Sequence, residues 1–484
     1  MTTVPSQPPL AQAAQAAQAA QAAQAEPLEA AAPPRTSVER VALVLASGAT
    51  FLAVLDTTVV NIAFADLRKS FPTESLSHLT WVVTAYTVVF AALLAVAGRV
   101  ADVVGRRRLF IWSTALFTLA SLLSGLAPGV GMLVAARALQ GLAAAGMIPA
   151  ALGLVLSHTP TARRHAAVGI WGAVGSMAAA VGPSLGGLLV DVWGWRAVFL
   201  INIPIGMLIV TLAVRGLSAD TSTGRRLPDP IGTVALALGL SGLVFGVTQG
   251  SDWGWSDARV LTLLIGGAVL TALALLLSRR HESPAIEWDL WRSRVFAGTN
   301  LSSLLFGAAM YAYLLSSLLF LNAVWGYSEL RAGLAVTPGA FSAAIGAVLV
   351  GKFAGPGRQW LAVLAGSVLF SGALWAMYAY LGPEHHYLGF LLPIGIPAGV
   401  GIGAALTGIS NAAAAALPPA RFAAGTGLLM TSRQVGGALG IAVFAAILSN
   451  TGVIGPTGYL RAFLASAICA AAAALSAVLL RERA

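Results

Sequence analysis

One carboxylate stands inside a long apolar run of the sequence. The run is FLAVLDTTVVNIAFADL, residues 51–67, and the carboxylate is Asp56. A second apolar run, near residues 130–156, contains the guanidinium of Arg137. Ionisable side chains inside a membrane are costly and mark functional sites. Because burial favours a neutral acid whereas a nearby cation favours the carboxylate, such a pair could bind and release a proton.

The composition of the whole chain is that of a membrane protein. The 484 residues are 58% hydrophobic and only 10% charged, whereas soluble domains carry about 25% charged residues. Runs of about 20 residues, long enough to cross a bilayer, alternate with short polar breaks. The pattern predicts fourteen spans, and an alternative count of twelve omits the seventh and eighth. The predicted spans lie near residues 41–65, 79–101, 109–127, 130–156, 166–190, 197–215, 231–249, 259–278, 299–323, 332–351, 360–381, 388–416, 422–448 and 459–480.

The lysines and arginines favour alternate loops, as the positive-inside rule requires of a membrane protein. If the N-terminus is cytoplasmic, twenty of the 28 basic residues fall inside and six outside, and Arg137 and Arg433 lie within spans. An odd number of spans would break this alternation. We therefore interpret the net charge of +10 as a topology signal and not as a nucleic-acid surface. Both termini are predicted to be cytoplasmic.

The chain divides into a tail, two similar halves and an insertion. Residues 1–37 contain a repeated Gln-Ala-Ala pattern and are predicted to be a disordered cytoplasmic tail. GRVADVVGRR begins at residue 98 after the second span, and an echo, GKFAGPGRQ, begins at residue 351 after the tenth. Transporters are often built from repeated halves. The echo predicts six-helix bundles at 38–216 and 296–484, with two inserted helices and a cytoplasmic loop at 217–295.

The GRVADVVGRR segment combines glycines with charge. Gly98 and Gly105 allow a turn and a close approach of helix ends. Asp102 can accept hydrogen bonds from backbone N–H groups or from a nearby arginine such as Arg106. We expect these residues to hold two helix bundles together in one conformation and to release them in another. A plain positive loop would explain the arginines but not the glycine spacing around the acid.

This segment resembles the loop signature of the major facilitator superfamily. Further segments resemble motifs of its fourteen-helix drug/proton antiporters, the EmrB/QacA type. They are LDTTVVN at 55–61, RALQG at 137–141, GPSLGG at 182–187, WR at 195–196 with NIPIG at 202–206, and RQVGGALG at 433–440. The resemblance covers residues 38–484. It implies an all-α polytopic membrane protein with the major facilitator fold, in which two six-helix bundles are joined by two inserted helices.

The GPSLGG segment resembles the fifth-helix motif of the antiporters. Gly182 and Gly186 are four residues apart and form a small face for close helix packing. Pro183 removes a backbone donor and permits a kink, and Gly187 completes the motif. We expect the four residues to take part in conformational gating. Ordinary packing between membrane helices would explain the same glycines.

Asp56 and Arg137 are the candidates for proton coupling. At ~1.5 Å per residue, Asp56 lies about 22 Å from the cytoplasmic end of its span, and Arg137 about 10 Å below the outer end of its own. These depths agree in a hydrocarbon core about 30 Å thick, so the two side chains can pair. The alternative is that Asp56 is a structural anchor whose partners are Thr57, Thr58 or Asn61.

The substrate class is suggested by the absence of acidic residues from four of the predicted spans. Spans nine to twelve contain no acid, whereas some members of the resembled family that export organic dications have one there. Neutral, anionic or monocationic amphiphiles are therefore expected. Arg433 has an alternative role in structural pairing with backbone carbonyls or an acid. The candidates for substrate contact are Asn300, Tyr311, Tyr313, Arg433 and Gln434.

These observations together predict a proton-coupled exporter of an amphiphilic drug or antibiotic. Export would confer resistance, with self-protection of an antibiotic producer as one setting. A carrier for a metabolite or nutrient is the alternative. The sequence has no P-loop and no paired catalytic constellation, so we expect no enzyme activity, cofactor or metal, and the proton gradient as driving force. The expected partners are the small substrate, protons and the lipid of a bacterial inner membrane, around a monomer that binds no nucleic acid.

Overall fold

The computed structural model describes residues 36–74, 76–217, 229–278, 281, 288–355, 357–450 and 456–481. In these ranges the chain folds into helices joined by short loops, with no strand, and fourteen helices are long and apolar enough to span a membrane. Residues 1–35 of the predicted tail lie outside the described residues. The helices are α1 (Ser37–Ser70), α2 (Leu76–Val104), α3 (Arg106–Gly125), α4 (Val130–His158), α5 (Arg164–Trp193), α6 (Asn202–Gly216), α7 (Pro230–Trp253), α8 (Ala258–Ser278), α9 (Arg294–Ala323), α10 (Glu329–Phe353), α11 (Gln359–Tyr380), α12 (Leu392–Ala416), α13 (Phe422–Asn450) and α14 (Pro456–Ser476).

The predicted count of fourteen spans is confirmed, and the alternative count of twelve is wrong. The seventh and eighth spans are present as α7 and α8, which contain 24 and 21 residues. The chain is therefore a multi-pass membrane protein. Because the count is even, α1 begins and α14 ends on the same side of the membrane. We call it the terminal side and the other the distal side.

Helix ends are fixed by polar side chains and by glycine. The side chain of Thr36 accepts a hydrogen bond from the N–H of Glu39 and caps α1, and Asp229 caps α7 in the same way. A single residue, Gly105, separates α2 from α3, with a φ of 113° that only glycine adopts readily. This sharp junction places Arg106 at the start of α3, directly after α2 ends.

The long helices pack as two groups of six. In the first group α4 packs against α1, α2 and α3, and α1 also packs against α5. In the second group α12 packs against α9, α10 and α11, and α14 packs against α9 and α11. The groups meet mainly along the pairs α2–α13 and α5–α10, and α7 covers the α2–α13 edge with α8 behind it.

The predicted domain boundaries at 216/217 and 295/296 stay a prediction. Residues 218–228, 279–280 and 282–287, which include most of the polar part of the predicted insertion, lie outside the described residues. The helices on either side of these gaps do occur in the predicted order.

Two glycines allow backbone contact between the groups near the terminal side. A Cβ atom on Gly98 of α2 would lie 2.2 Å from the carbonyl oxygen of Ala423 in α13. A Cβ atom on Gly351 of α10 would lie 3.0 Å from the Cα of Gly169 in α5. Gly98 and Gly351 begin the two echo segments, so the repeated sequence lies at corresponding crossings of the two helix groups.

Candidate functional site

The carboxylate of Asp56 accepts three hydrogen bonds from other helices. Its Oδ2 accepts from Nη1 of Arg137 at 2.6 Å, and its Oδ1 accepts from Nε2 of Gln140 at 2.8 Å and from Nδ2 of Asn202 at 2.9 Å. Asp56 and Arg137 are each only 1% exposed. The acid of the first apolar run therefore belongs to a polar network that is shut off from solvent.

Arg137 of α4 makes further polar and aromatic contacts besides its ion pair with Asp56. Its Nε donates to the backbone carbonyl of Val82 in α2 at 3.0 Å, and its Nη1 also donates to Oε1 of Gln140 at 2.8 Å. The guanidinium carbon lies 4.4 Å from the ring centroid of Tyr86 in α2, a cation–π contact that is stronger away from water. The structure thus brings Asp56 and Arg137 together, and their part in proton coupling stays a prediction.

Asn202 extends this network to α3. Its Nδ2 donates to Oγ of Ser121 at 2.9 Å, and that hydroxyl donates to the carbonyl of Phe199 at 2.8 Å. The Oδ1 of Asn202 is buried and has no hydrogen-bond partner among the described residues. The network therefore joins α1, α2, α3, α4 and α6, and it retains one unused acceptor on an amide that contacts the carboxylate.

Two of the three expected anchors of Asp56 do not bind its carboxylate in the structure. The hydroxyls of Thr57 and Thr58 donate to backbone carbonyls one turn earlier in α1, and the side chain of Asn61 lies outside the described residues. Gln140 and Asn202 are not among the site residues predicted from the sequence. A signal was present for Gln140, which follows the arginine by three positions and so shares its helix face. Asn202 begins the NIPIG segment. A polar side chain in this otherwise apolar span is the feature that could have identified it.

A second cluster, the terminal-side latch, consists of Asp102, Arg106, Ala423 and Ala424. The Oδ1 of Asp102 accepts from Nε and Nη2 of Arg106 at 2.9 and 2.7 Å. Its two oxygens also accept from the backbone N–H groups of Ala423 at 3.3 Å and Ala424 at 2.8 Å, and Arg106 donates to the carbonyl of Pro419. The carboxylate of the first group thus caps the N-terminus of α13 in the second, where the helix dipole favours negative charge.

The fifth-helix glycines pack within the first group. A Cβ atom on Gly182 would lie 2.0 Å from Oγ1 of Thr58 in α1, and one on Gly186 would lie 3.2 Å from the backbone of the same helix. Gly187 is buried, and the side chain of Pro183 lies outside the described residues. These glycines therefore permit the close α1–α5 contact, and their part in gating stays a prediction.

Three of the five predicted substrate residues lie together. The hydroxyl of Tyr311 in α9 donates to Oε1 of Gln434 in α13 at 2.7 Å. Arg433 is next along α13 and is in electrostatic contact with Tyr311. The Nε and Nη2 atoms of Arg433 are buried and have no hydrogen-bond partner in the part of the chain that the structure describes. The three side chains form a cationic cluster, which we call the Arg433 cluster.

Asn300 and Tyr313 lie outside the Arg433 cluster. Asn300 is 3% exposed, donates to the carbonyl of Phe296 at 2.9 Å and accepts from Ser432 at 2.9 Å, so its amide serves the packing of α9 against α13. Tyr313 packs against Phe370 with ring centroids 5.3 Å apart in the apolar core of the second group.

The two polar clusters approach each other at the boundary between the groups. Tyr86 of α2 packs on the guanidinium of Arg137 and lies within electrostatic range of Asp56 and of Tyr311 in α9. Tyr311 in turn belongs to the Arg433 cluster. The Asp56 carboxylate in the first group and the Arg433 cluster in the second are thus separated by two phenols, Tyr86 and Tyr311, that lie within electrostatic range of each other.

The chemistry available here is proton exchange and the binding of charged groups. Carboxylate, guanidinium, amide and phenol side chains supply hydrogen-bond donors and acceptors on both sides of the boundary. Within the described ranges, no group of three or more His, Cys, Asp or Glu side chains is arranged to hold a metal ion.

Comparison with known proteins gives consistent results. The family model described as Major Facilitator Superfamily matches residues 46–441. Multidrug resistance protein Stp of Mycobacterium tuberculosis (strain CDC 1551 / Oshkosh) is 34% identical over 402 residues, which cover 82% of this chain and 74% of Stp. Cephamycin export protein CmcT of Amycolatopsis lactamdurans is 36% identical over 423 residues, which cover 86% of each chain. The crystal structure of the human organic anion transporter MFSD10 covers 91% of this chain and 99% of its own, with a TM-score of 0.65; at 14% identity it shows the fold alone.

Proposed function

The chain belongs to the major facilitator superfamily, and from this premise we propose that it is a proton-coupled exporter of an amphiphilic drug or antibiotic. Its activity would confer resistance, as in the self-protection of an antibiotic producer. The observation that carries the proposal is the sealed pair of Asp56 and Arg137. It supplies a transporter of this family with one titratable carboxylate deep inside its first helix group.

The names of the relatives support export over uptake. Stp is named as a multidrug resistance protein and CmcT as a cephamycin export protein. Each aligns with more than four fifths of this chain. A metabolite or nutrient carrier is not favoured by these similarities.

Protonation of Asp56 would alter the network in a defined way. The carboxylate now neutralises Arg137 across 2.6 Å, and a proton on it would remove that neutralisation. The amide of Asn202 can rotate so that its Oδ1, which has no partner among the described residues, accepts the new O–H group. The neutral acid would keep a hydrogen bond while the ion pair between α1 and α4 is lost. Proton binding would therefore weaken one contact without leaving the proton unsatisfied.

Export also requires the helix groups to separate on the terminal side. The terminal-side latch joins α2 and α3 to the start of α13, so its opening is a necessary step of that movement. We infer that a proton reaches Asp56 from the distal side while the latch is closed. Opening of the latch would then allow proton release on the terminal side and substrate entry there, which couples inward proton movement to outward substrate movement.

The orientation follows from the basic residues. Twenty of the 28 lysines and arginines lie on the terminal side under the predicted topology, and the positive-inside rule makes that side cytoplasmic. Both termini would then face the cytoplasm of a bacterium, with the distal side outside the inner membrane. Each chain contains a complete pair of helix groups, which suits a monomeric transporter.

The test uses everted membrane vesicles from cells that express the full chain. The vesicles are energised, the pH gradient is followed with a fluorescent acridine dye, and antibiotics and cationic dyes are added one at a time. Wild-type protein should show substrate-dependent collapse of the gradient, and Asp56→Asn should show none. The matched control is Asp257→Asn in the loop before α8. Hydrogen bonds from Arg259 lower the pKa of the Asp257 carboxyl, so this acid stays ionised throughout the assay and should not affect coupling.

Three outcomes would count against the proposal. Collapse of the gradient that persists in Asp56→Asn would remove Asp56 from the coupling path. Accumulation of substrate without a pH gradient would indicate a uniporter. A complete lack of response to resistance-type compounds, with a response to a nutrient, would favour the carrier alternative.

A further inference from the structure

The side chain of Arg433 is half-buried, and its guanidinium has no counter-ion among the described residues of its own helix group. It follows the start of α13 at Phe422 by eleven residues, or about 16 Å along the helix axis. Its Nε and Nη2 are shut off from solvent and have no hydrogen-bond partner among the described residues. An unpaired ion in a low-dielectric environment is strongly disfavoured. A ligand that carries negative charge would relieve this cost.

The second group has no carboxylate that could reach Arg433. Within residues 294–481 the acids are Glu329 and Glu384. Glu329 is the first residue of α10, and the side chain of Glu384 is 79% exposed in the loop after α11. Both therefore lie at the distal ends of helices, away from the middle of α13. The buried acid across the boundary, Asp56, already accepts three hydrogen bonds.

The surroundings of Arg433 combine neutral donors with aromatic surface. Gln434 uses its Oε1 to accept from Tyr311 at 2.7 Å, and its Nε2 is a second N–H donor for a ligand. The Tyr311 ring packs against Gly437, where a Cβ atom would lie 2.5 Å from the ring. Tyr86 of the first group lies within electrostatic range of Tyr311. A polar head group could therefore bind at the guanidinium while an apolar body contacts the two rings.

The net charge around Arg433 indicates the charge of the ligand head group that would bind there. The first group is neutral at mid-depth because Asp56 offsets Arg137, whereas the Arg433 cluster carries one positive charge. A monoanion would neutralise it, a dianion would leave one negative charge in excess, and a cation would be repelled. The fork of a guanidinium matches the two oxygens of a carboxylate.

We propose that Arg433, Gln434 and Tyr311 bind the carboxylate of a monoanionic amphiphile, whose apolar body lies toward Tyr86. The inference rests on the proposed export function and narrows its substrate class from amphiphiles in general to organic monoanions. Arg433 is the residue that determines this preference.

The test uses the purified full-length protein in detergent and three fluorescent probes with one pyrene body. The probes are pyrenebutyrate, its methyl ester and the corresponding trimethylammonium compound. Binding is measured by energy transfer from tryptophan to pyrene, with no proton gradient present. Wild-type protein should bind the carboxylate at least about tenfold more tightly than either other probe. Arg433→Gln should lose this preference and bind the ester as wild type does, and Arg433→Lys should keep part of it.

The matched control is Arg461→Gln, which removes an exposed arginine near the start of α14 and should leave all three affinities unchanged. Ester binding and size-exclusion profiles show whether each variant is folded. Wild-type protein that binds the carboxylate no more tightly than the ester would overturn the inference. A carboxylate preference that survives in Arg433→Gln would also overturn it.

The failure of this inference can be told apart from a failure of the proposed function. Gradient-coupled export of neutral or cationic drugs, without a carboxylate preference, would remove the inference and leave export standing. Arg433-dependent binding of pyrenebutyrate, in a protein that collapses no pH gradient with any compound, would support the anion site and contradict proton-coupled export.

Discussion

The two helix groups each place an arginine within a membrane-spanning helix, and they treat its charge differently. In the first group Arg137 pairs with Asp56 at 2.6 Å and also donates to a backbone carbonyl. In the second group two guanidinium nitrogens of Arg433 have no partner among the described residues. One architecture thus contains a neutral pair on one side and an uncompensated cation on the other. We infer that the first group exchanges protons and that the second recognises substrate charge.

The two echo loops differ in a related way. Asp102 of the first loop caps the start of α13 across the boundary between the groups. The second loop has Gly355 near the corresponding position, and a Cβ atom there would meet nothing within 4 Å. Both loops begin with a glycine at a close helix crossing. The repeat therefore keeps the close crossing, but the second loop lacks the carboxylate that the first one has. Similar backbone geometry in the two groups thus carries different electrostatics.

The largest expected effect comes from removing the cation of the neutral pair. Arg137→Ala leaves the Asp56 carboxylate buried without a counter-ion, which should destabilise the protein by about 3–5 kcal/mol. Thermal unfolding of the purified protein in detergent measures this loss. The double variant Asp56→Asn with Arg137→Ala should recover most of the stability but not proton coupling. An Arg137→Ala protein as stable as wild type would show that water reaches the network freely.

The next effect concerns the terminal-side latch. Asp102→Asn removes charge-assisted hydrogen bonds worth about 1.5–3 kcal/mol each, so the state that is open on the terminal side should become more populated. Thr431 of α13 is 8% exposed, and a Thr431→Cys reporter in a Cys469→Ala background measures opening. An impermeant maleimide applied from the terminal side should label it at least about tenfold faster with Asp102→Asn. Equal labelling rates in the two backgrounds would mean that the latch does not hold this side closed.

A pair of alanine substitutions compares the two loops directly. Gly98→Ala would force a methyl group against the backbone of α13 and should destabilise the protein by about 1–3 kcal/mol. Gly355→Ala meets open space and should change stability by less than about 0.5 kcal/mol. Thermal unfolding of both variants measures the difference. A Gly98→Ala protein as stable as the Gly355→Ala protein would contradict the close contact of α2 with α13.

A small change in stability is also expected at the uncompensated arginine. Arg433→Gln removes a charge with no counter-ion among the described residues, so the stability should stay within about 1 kcal/mol of wild type or rise. The same unfolding measurement, made beside Arg137→Ala, tests whether the two arginines differ as the structure indicates. A loss of several kcal/mol in Arg433→Gln would reveal a structural partner and would remove the contrast between the groups.

Part of the site could be predicted because helix geometry is regular. The rise per residue placed Asp56 and Arg137 at similar depths, and the structure brings them into contact. The roles of Gln140 and Asn202 could not be found in this way, because the rotation of α4 and α6 about their axes decides which side chains face α1. The same reason explains why Tyr311 joins Arg433 whereas Tyr313, two residues further along α9, faces the apolar core.

The number, order and apolar character of the spans follow from the amino-acid sequence. A bilayer admits long apolar helices because every backbone group must be satisfied within the segment, and this constraint is local enough to appear in a single run of residues. Only the tertiary structure decided which buried charge is neutralised. Asp56 and Arg137 are 81 residues apart in the chain, and their contact depends on how α1 and α4 pack. That Arg433 has no counter-ion among the described residues is likewise a property of its neighbours in space, since electrostatic energy depends on distance and burial and not on position along the chain.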